Sequence, residues 1–420
     1  MTELSLGVKE GYDDNLFGVS GHGMQPQRSW FTTVSPKVAF DFAPLFGSQS
    51  AFTTLSLNYS PDLVRFHEAP SENYDAHKFG SALKGGVGAF SFSLDDSFLY
   101  NDGSKVAPTY ALNQLSGAAA NQFDKYRNYF AQEMAYLRRN QIQERANAVL
   151  QYDLDQFFVR PTASLLDYNL DTAFHNTGSA PYKGYQNYVD RSDVNGGADL
   201  GYKVLTNAAV TMGYRYGSQF QQPFAPAITS DSHYSSSTYQ RALLGFEGKP
   251  VTWLSVKLDG GPDFRDYNSH TPVSNLHPTK YYGEASVSAR ISTNQSVAFD
   301  YKQWNWVANT GFVPVFVSSY GINYHWNVTR RLGFDLGAKI QEYDYTGGND
   351  YAGTAPSARA DRLYSVSPGL SFAISPQLSA SVRYSYNAGN NELRNLPSAD
   401  QAAYRNYTEN LVSVGLAYKF

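Results

Sequence analysis

The 420-residue chain is rich in aromatic residues (15%) and poor in charged ones (17%), and its formal net charge is -4. This acidic balance argues against a nucleic acid as the main partner, and the absence of cysteine excludes disulfides, thiol catalysis and thiolate metal sites. No apolar run approaches the roughly 18 residues that a membrane-spanning helix needs. The 33 Tyr, 26 Phe and 34 Gly instead suit alternating strands, interfacial girdles and tight turns.

The chain opens directly on a strand-like segment, 4–8 (LSLGV), with no basic and apolar leader before it. Secretory signal peptides have such a leader and are removed from the mature protein. If the chain is exported, we therefore expect that its signal peptide has been removed.

Alternation of apolar with polar or small residues recurs along the chain. It is clearest at 145–152, 284–291, 331–340, 378–386 and 411–420. A period of two places the two sets on opposite faces of a sheet. A soluble sandwich can show one such stripe, but here the second face repeatedly carries charges and glycines. A packed core would reject that face and a water-filled lumen would accept it, so the repetition predicts a transmembrane barrel.

The connections between these strands alternate in length. Short turns are predicted near 45–48, 88–89, 153–155, 205–207, 249–250, 292–294, 327–329 and 375–377. Longer polar loops are predicted at 103–130, 173–188, 222–234, 268–279, 346–360 and 394–405. Short periplasmic turns and long extracellular loops are typical of outer-membrane barrels.

Counting through this alternation predicts about 18 strands, an even number that places both termini at the periplasmic rim. The segment 124–145 fits either a long strand or a loop helix, and the even number holds in both cases. No linker divides the chain. We therefore predict an all-β fold, a single transmembrane, antiparallel, up-and-down β-barrel domain over residues 1–420.

Several short motifs resemble those of one known family. They are 11–17 (GYDDNLF), 35–38 (SPKV), 145–147 (RAN), 157–161 (FFVRP) and 366–370 (VSPGL). Together they are similar to the β-barrel porin type 2 family of outer-membrane proteins, and the resemblance extends over essentially the whole chain. It implies the barrel fold. It leaves the function open, because some members resemble passive porins and others accompany exopolysaccharide export systems.

The histidines show no metal or catalytic spacing. They are His22, His67, His77, His175, His233, His270, His277 and His325, and most lie in predicted loops. The glycine-rich segment 85–88 is not a phosphate loop, because neither Lys-Ser/Thr nor a helix follows it. A rim constellation assembled in three dimensions stays open. We predict that the chain is not an enzyme and that it uses no metal and no cofactor.

Strand alternation assigns charged residues to the lumen. The predicted pore-lining basic residues are Lys37, Lys84, Arg145, Arg160, Lys203, Arg215, Lys257, Arg290, Lys302, Arg331, Lys339 and Arg383. The predicted pore-lining acidic residues are Asp41, Asp95, Asp199, Asp259, Glu284, Asp300 and Asp335. Twelve bases against seven acids allow two interpretations. Either the opposite charges pair across strands, or the surplus of basic residues makes the pore mildly anion-selective.

Aromatic residues near strand ends are predicted to face lipid as interfacial girdles. They are Trp30, Tyr59, Tyr100, Tyr152, Tyr202, Tyr214, Tyr216, Tyr301, Tyr384, Tyr386, Tyr418 and Phe420. Predicted loops carry a second set, which can stack on sugars or pack the loops together. It consists of Tyr110, Tyr182, Tyr185, Tyr188, Trp304 and Trp306. Leu416, Tyr418 and Phe420 are predicted to form the C-terminal assembly signal that the barrel-assembly machinery reads.

These features predict a porin-like channel of the bacterial outer membrane that passes small hydrophilic solutes by passive diffusion. The alternative is the outer-membrane barrel of an exopolysaccharide export system, which would work with a periplasmic partner protein. A third and weaker class is a closed barrel that acts as a scaffold or rim enzyme. The expected partners are outer-membrane lipids and the assembly machinery, with no nucleic acid. The oligomeric state stays open.

Overall fold

The structure is a computed structural model that describes residues 2–18, 26–47, 51–105, 138–171, 190–221, 235–271, 273–307, 314–345, 359–393 and 406–420. Regular structure within these ranges consists of strands and two short 3-10 helices, Ala43–Phe46 and Pro70–Glu72. Among the described residues, no helix is both long and apolar enough to cross a membrane.

Nineteen strand segments follow one another in the described ranges. The first ten are Thr2–Asp13 (β1), Ser29–Asp41 (β2), Phe52–Tyr59 (β3), Asp62–Phe66 (β4), Tyr74–Val87 (β5), Phe90–Asp102 (β6), Gln141–Leu154 (β7), Phe157–Leu170 (β8), Arg191–Leu205 (β9) and Ala208–Gln221 (β10). The others are Ser237–Val251 (β11), Leu254–Tyr267 (β12), Thr279–Ser292 (β13), Gln295–Val307 (β14), Pro314–Asn327 (β15), Leu332–Tyr345 (β16), Arg359–Ala373 (β17), Leu378–Leu393 (β18) and Tyr407–Lys419 (β19).

The segments form one closed antiparallel ring. Each pairs with its neighbours in sequence, and β1 pairs with β19 from Ser5 opposite Lys419 to Asp13 opposite Leu411. β3 and β4 are two parts of one wall strand, because both pair with β2 on one side and β5 on the other. Pro61 lies in the break between them, and its missing N–H cannot join a ladder. The ring therefore has 18 wall strands in the described residues, which confirms the predicted fold.

The two faces of the wall differ as the alternation predicts. Leu4, Leu6 and Val8 of β1 are exposed on the outer side, and the alternate residues of β1 point to the lumen. The same outward apolar row continues on the last strand through Val414 and Leu416. The barrel thus presents apolar side chains to the surroundings all along its wall, as a lipid environment requires.

The connections also follow the prediction, with one correction. Short turns join the strands at the rim that holds both termini, for example at 88–89, 206–207 and 293–294. The turn predicted at 249–250 is wrong: both residues belong to β11, and the chain turns at 252–253 instead. A register shift between Gly248 and Val251 absorbs Pro250 at this strand end.

Most of the predicted long loops lie outside the described residues. This holds for nearly all of 103–130, 173–188, 222–234 and 346–360 and for the loop at 394–405. In the segment 124–145, the described part begins at residue 138 and joins β7 at Gln141. Whether this segment is a strand or a helix depends mainly on residues outside the described ranges.

Two adjacent glycines of β12 offer a test of wall packing. A Cβ on Gly261 would lie 1.9 Å from the backbone oxygen of Ala242, whereas a Cβ on Gly260 would lie 3.4 Å from that of Tyr282. We expect Gly261→Ala to lower the yield of folded barrel clearly and Gly260→Ala to change it little, because backbone atoms cannot move aside. Heat-modifiable electrophoretic migration measures the folded fraction. Equal yields would contradict this account.

Candidate functional site

The strand register places the predicted charged residues on one continuous face. The bases on the strand face opposite the exposed apolar row are Lys37, Lys84, Arg145, Arg160, Lys203, Arg215, Lys257, Arg290, Lys302, Lys339 and Arg383. The acids on that face are Asp41, Asp95, Asp199, Asp259, Glu284, Asp300 and Asp335. Arg331 differs. It lies in the turn between β15 and β16, where its backbone N–H donates to Thr329 Oγ1 at 3.1 Å.

Many of these charges are paired between strands of the wall. Lys84 Nζ lies 3.3 Å from Asp95 Oδ1, and Lys203 Nζ lies 2.7 Å from Asp153 Oδ1. His325 Nδ1 lies 2.7 Å from Asp335 Oδ1. Such pairing neutralises these charges locally. The electrostatic field in the lumen then depends mainly on the cations that have no carboxylate partner.

A larger network links four strands of the wall. Arg160 of β8 donates from Nε to Asp199 Oδ2 at 3.1 Å and from Nη2 to Glu247 Oε2 at 3.0 Å. Arg215 of β10 approaches the other oxygen of Asp199 at 2.7 Å. Two guanidinium groups and two carboxylates therefore neutralise one another, and their planar, bidentate geometry keeps them against the wall.

Sequence reasoning missed an inward cluster near the extracellular ends of β9 to β12. Asp263 accepts hydrogen bonds from Arg241 Nε at 2.7 Å and from Arg265 Nε at 3.0 Å. Tyr239 lies against both guanidinium groups, at 4.1 and 4.7 Å from the ring centroid, and donates to Asp193 at 2.8 Å. A signal was present: these residues share the strand parity of the inward residues that the alternation did identify.

The hairpin formed by the ends of β14 and β15 folds into the lumen. Asn305, Val307, Val315 and Val317 are almost completely buried. The ends of β14 lie next to β10, although β11, β12 and β13 separate the two strands around the ring. Such an approach is possible only through the interior of the barrel. The hairpin therefore narrows the channel from one side.

Side chains of β9, β10 and β12 hold the hairpin by its backbone. Gln219 Nε2 donates to the carbonyl oxygen of Asn305 at 3.1 Å, and Arg265 Nη2 approaches the same oxygen at 3.4 Å. Arg191 Nη1 donates to the carbonyl oxygen of Val307 at 3.2 Å. The guanidinium carbon of Arg191 also lies 5.5 Å from the ring centroid of Trp306. Because these hydrogen bonds reach backbone oxygens, they hold the hairpin in its inward position whatever side chains residues 305 and 307 carry.

Residues that follow β1 and the last residue of β4 pack with Arg138 on another side of the mouth. Leu16, Phe17 and Phe66 are buried there. Arg138, on the described end of the long loop before β7, donates to the carbonyl oxygen of Leu16 at 2.9 Å and to Glu72 at 3.0 Å. The extracellular mouth is thus narrowed from two sides, by this cluster and by the β14–β15 hairpin.

Below the hairpin lies a cavity of about 520 Å³ whose lining comes from both sides of the barrel. It includes Arg145 of β7, Lys257 of β12 and Lys302 of β14, together with Trp304 and Trp306 of the hairpin. Facing walls thus contribute charged and aromatic side chains to one constriction. Its basic residues outnumber the acidic ones, which gives this level of the lumen a positive character.

A second cavity of about 450 Å³ adjoins the first and shares Glu284 and Lys302 with it. Its other polar lining residues are Ser286, Asp300, Ser319, Asn323, Lys339, Ser365 and Ser367. This part of the wall consists mainly of short hydroxyl and amide side chains with glycines between them. It offers hydrogen-bonding groups at its surface.

The remaining sequence-predicted residues fall into three groups. The predicted girdle aromatics lie on the outer parity of their strands, and Tyr152, Tyr216 and Phe420 are among the exposed ones. Leu416 and Tyr418 share that outer face at the C-terminal end. Trp304 and Trp306, predicted in a loop, lie on β14 instead, and Tyr110, Tyr182, Tyr185 and Tyr188 lie outside the described residues. No group of three or more possible metal ligands occurs in the described part of the chain.

A closed ring with an apolar outside, a charged inside and both termini at the rim of short turns defines a transmembrane β-barrel of the bacterial outer-membrane type. No protein-family model matches the chain, so the resemblance to the porin type 2 family stays a prediction. No curated protein matches it either.

Several solved structures have a similar arrangement. OccK1 (OpdK) of Pseudomonas aeruginosa has 10% sequence identity and a TM-score of 0.45, with 100% of this chain and 99% of that chain covered. OccAB2 of Acinetobacter baumannii has 10% identity and a TM-score of 0.43, with 100% and 98% covered. The siderophore receptor PirA of Acinetobacter baumannii has 9% identity and a TM-score of 0.41, with 100% and 80% covered. The fold assignment rests on the strand register of this chain itself.

Proposed function

We propose that the chain is an outer-membrane channel that passes small hydrophilic solutes by passive diffusion, with a mild preference for anions. The observation that carries this proposal is the constriction under the hairpin. There, polar side chains from facing walls line a cavity inside the barrel. An interior lined by charges and hydroxyl groups is suited to water and dissolved solutes, and a barrel of this strand number is wide enough for an aqueous channel.

The preference for anions follows from the cations that remain without a carboxylate. Within the described residues, no carboxylate lies within ion-pair distance of Arg145, Lys339 or Arg383 on the inner face. The two arginines and two carboxylates around Asp199 neutralise one another, whereas Glu284 faces two lysines, Lys257 and Lys302. Two of these bases, Arg145 and Lys339, line the cavities in the narrow part of the lumen, where they raise the local concentration of anions. Among the described residues, no specific contact favours the alternative of polysaccharide export.

Planar-bilayer recording of the purified chain tests this proposal. We expect stable, ohmic single-channel steps in KCl and a reversal potential on the chloride side of zero under a salt gradient. The same detergent without protein is the control. A folded barrel that shows no conductance would contradict the channel function. A potassium-side reversal potential would contradict the anion preference alone.

A further inference from the structure

We infer that the constriction binds a hexuronate, a sugar ring that carries one carboxylate and several hydroxyl groups. This inference rests on the proposed channel function and names the class of solute that the channel recognises. Three different kinds of side chain meet at the two adjoining cavities: cations, tryptophans and short hydroxyl groups. Each kind matches a different part of such a ligand.

The cations provide a place for one carboxylate. Glu284 lies 3.7 Å from Lys257 Nζ and 3.9 Å from Lys302 Nζ, so one acid faces two ammonium groups. Arg145 lines the same cavity from the facing wall, and no carboxylate among the described residues lies within ion-pair distance of it. A guanidinium group in this state can bind a carboxylate through two parallel hydrogen bonds. The excess of positive charge therefore suits a monoanion.

The tryptophans provide a surface for the ring. Trp304 and Trp306 both line the cavity that contains Arg145. Lys302 Nζ lies 5.4 Å from the ring centroid of Trp304, so a positive charge and an indole lie side by side. An indole offers a large, rigid apolar surface at a small cost in conformational entropy. A sugar ring with an apolar C–H face can pack on it while its carboxylate reaches the neighbouring cation.

The adjoining cavity provides partners for hydroxyl groups. Ser319, Asn323, Ser365 and Ser367 lie along it, and it shares Lys302 with the first cavity. A serine hydroxyl both donates and accepts a hydrogen bond, and an asparagine amide does the same through separate atoms. The two cavities, of about 520 and 450 Å³, fall in the size range of small-molecule sites. Neither an aromatic acid, which lacks the hydroxyl groups, nor a neutral sugar, which lacks the charge, would use all three kinds of side chain.

Current block in planar bilayers tests the inference on the full-length barrel. Sodium galacturonate is the probe, with sodium benzoate and glucose as comparison solutes. We expect galacturonate to interrupt the KCl current at a concentration at least about tenfold below either of the others, since it alone makes the full set of contacts. Equal block by benzoate would show a general aromatic or anion site and overturn the inference. Equal block by glucose would overturn it as well.

Three variants locate the site. Arg145→Gln and Trp304→Ala are each expected to raise the blocking concentration of galacturonate about tenfold, as the loss of a charged hydrogen bond or a ring contact predicts. Arg383→Gln is the matched control, because this inward arginine lies on β18 and lines neither cavity. Unchanged block in Arg145→Gln, or an equal loss in Arg383→Gln, would overturn the assignment. Heat-modifiable migration verifies that each variant is folded.

A second measurement separates this inference from the channel function. Titration of the detergent-solubilised barrel with galacturonate, followed by tryptophan fluorescence, does not require conduction. A saturable change that weakens in Arg145→Gln would support the site even if the KCl steps were missing and the channel function failed. KCl steps without such a change, and without selective block, would overturn the site and leave the channel function intact.

Discussion

Removal of the inward-folded hairpin is expected to raise the single-channel conductance about twofold or more, because the hairpin occupies part of the aqueous cross-section. The variant deletes residues 304–317 and joins Gln303 to Ser318 by Asn-Gly. Gln303 and Ser318 are paired in the wall, so a two-residue turn can close the shortened hairpin. Conductance in KCl is the measurement.

A milder pair of changes keeps this prediction testable if the deletion fails to fold. Arg191→Leu with Gln219→Ala removes two donors that hold the hairpin, to Val307 and to Asn305. We expect larger and noisier current steps, since the hairpin can then leave its inward position. Trp253→Ala is the control, because this exposed tryptophan lies in a turn at the opposite rim. An unchanged conductance in both the deletion and the double variant would show that the hairpin does not limit the current.

The wall of the barrel was predictable because its signal is local. Each strand shows a hydrophobic period of two. The exposed apolar row of Leu4, Leu6 and Val8 can therefore be recognised from that strand alone. The same local rule assigned Arg145 and Lys302 to the lumen. The predicted inward residues did not include Arg191, which follows the loop predicted at 173–188 and which the structure places at the start of β9.

The hairpin was not predictable for the same reason. Trp304 and Trp306 keep the alternation of a wall strand, and β14 stays paired with β15 to Val307 and Pro314. Nothing in that local pattern distinguishes a strand end in the wall from one inside the barrel. The decision depends on Arg191, more than one hundred residues away in sequence, and on its hydrogen bond to a backbone oxygen. Because the acceptor is a backbone atom, the residue type at that position gives no sign of the hydrogen bond.

Reversal of two charges at the constriction is expected to reverse the selectivity of the pore. Arg145→Glu combined with Lys302→Glu changes the sign of two side chains that line one cavity from facing walls. Carboxylates would then surround the narrow part of the lumen, attracting potassium and repelling chloride. We expect the chloride-to-potassium permeability ratio to fall by roughly an order of magnitude. The reversal potential under a KCl gradient should change sign.

The control has the same change of total charge at other places on the inner wall. Arg290→Glu combined with Arg383→Glu alters two inward arginines that line neither cavity. If the constriction sets the selectivity, the control shifts the reversal potential much less, because water and salt screen charges in the wider lumen within about 10 Å. Equal shifts in the two double variants would mean that the summed charge of the wall decides. In that case the constriction would be only a steric element, and the positive cavity beneath the hairpin would have no special role in choosing the ion.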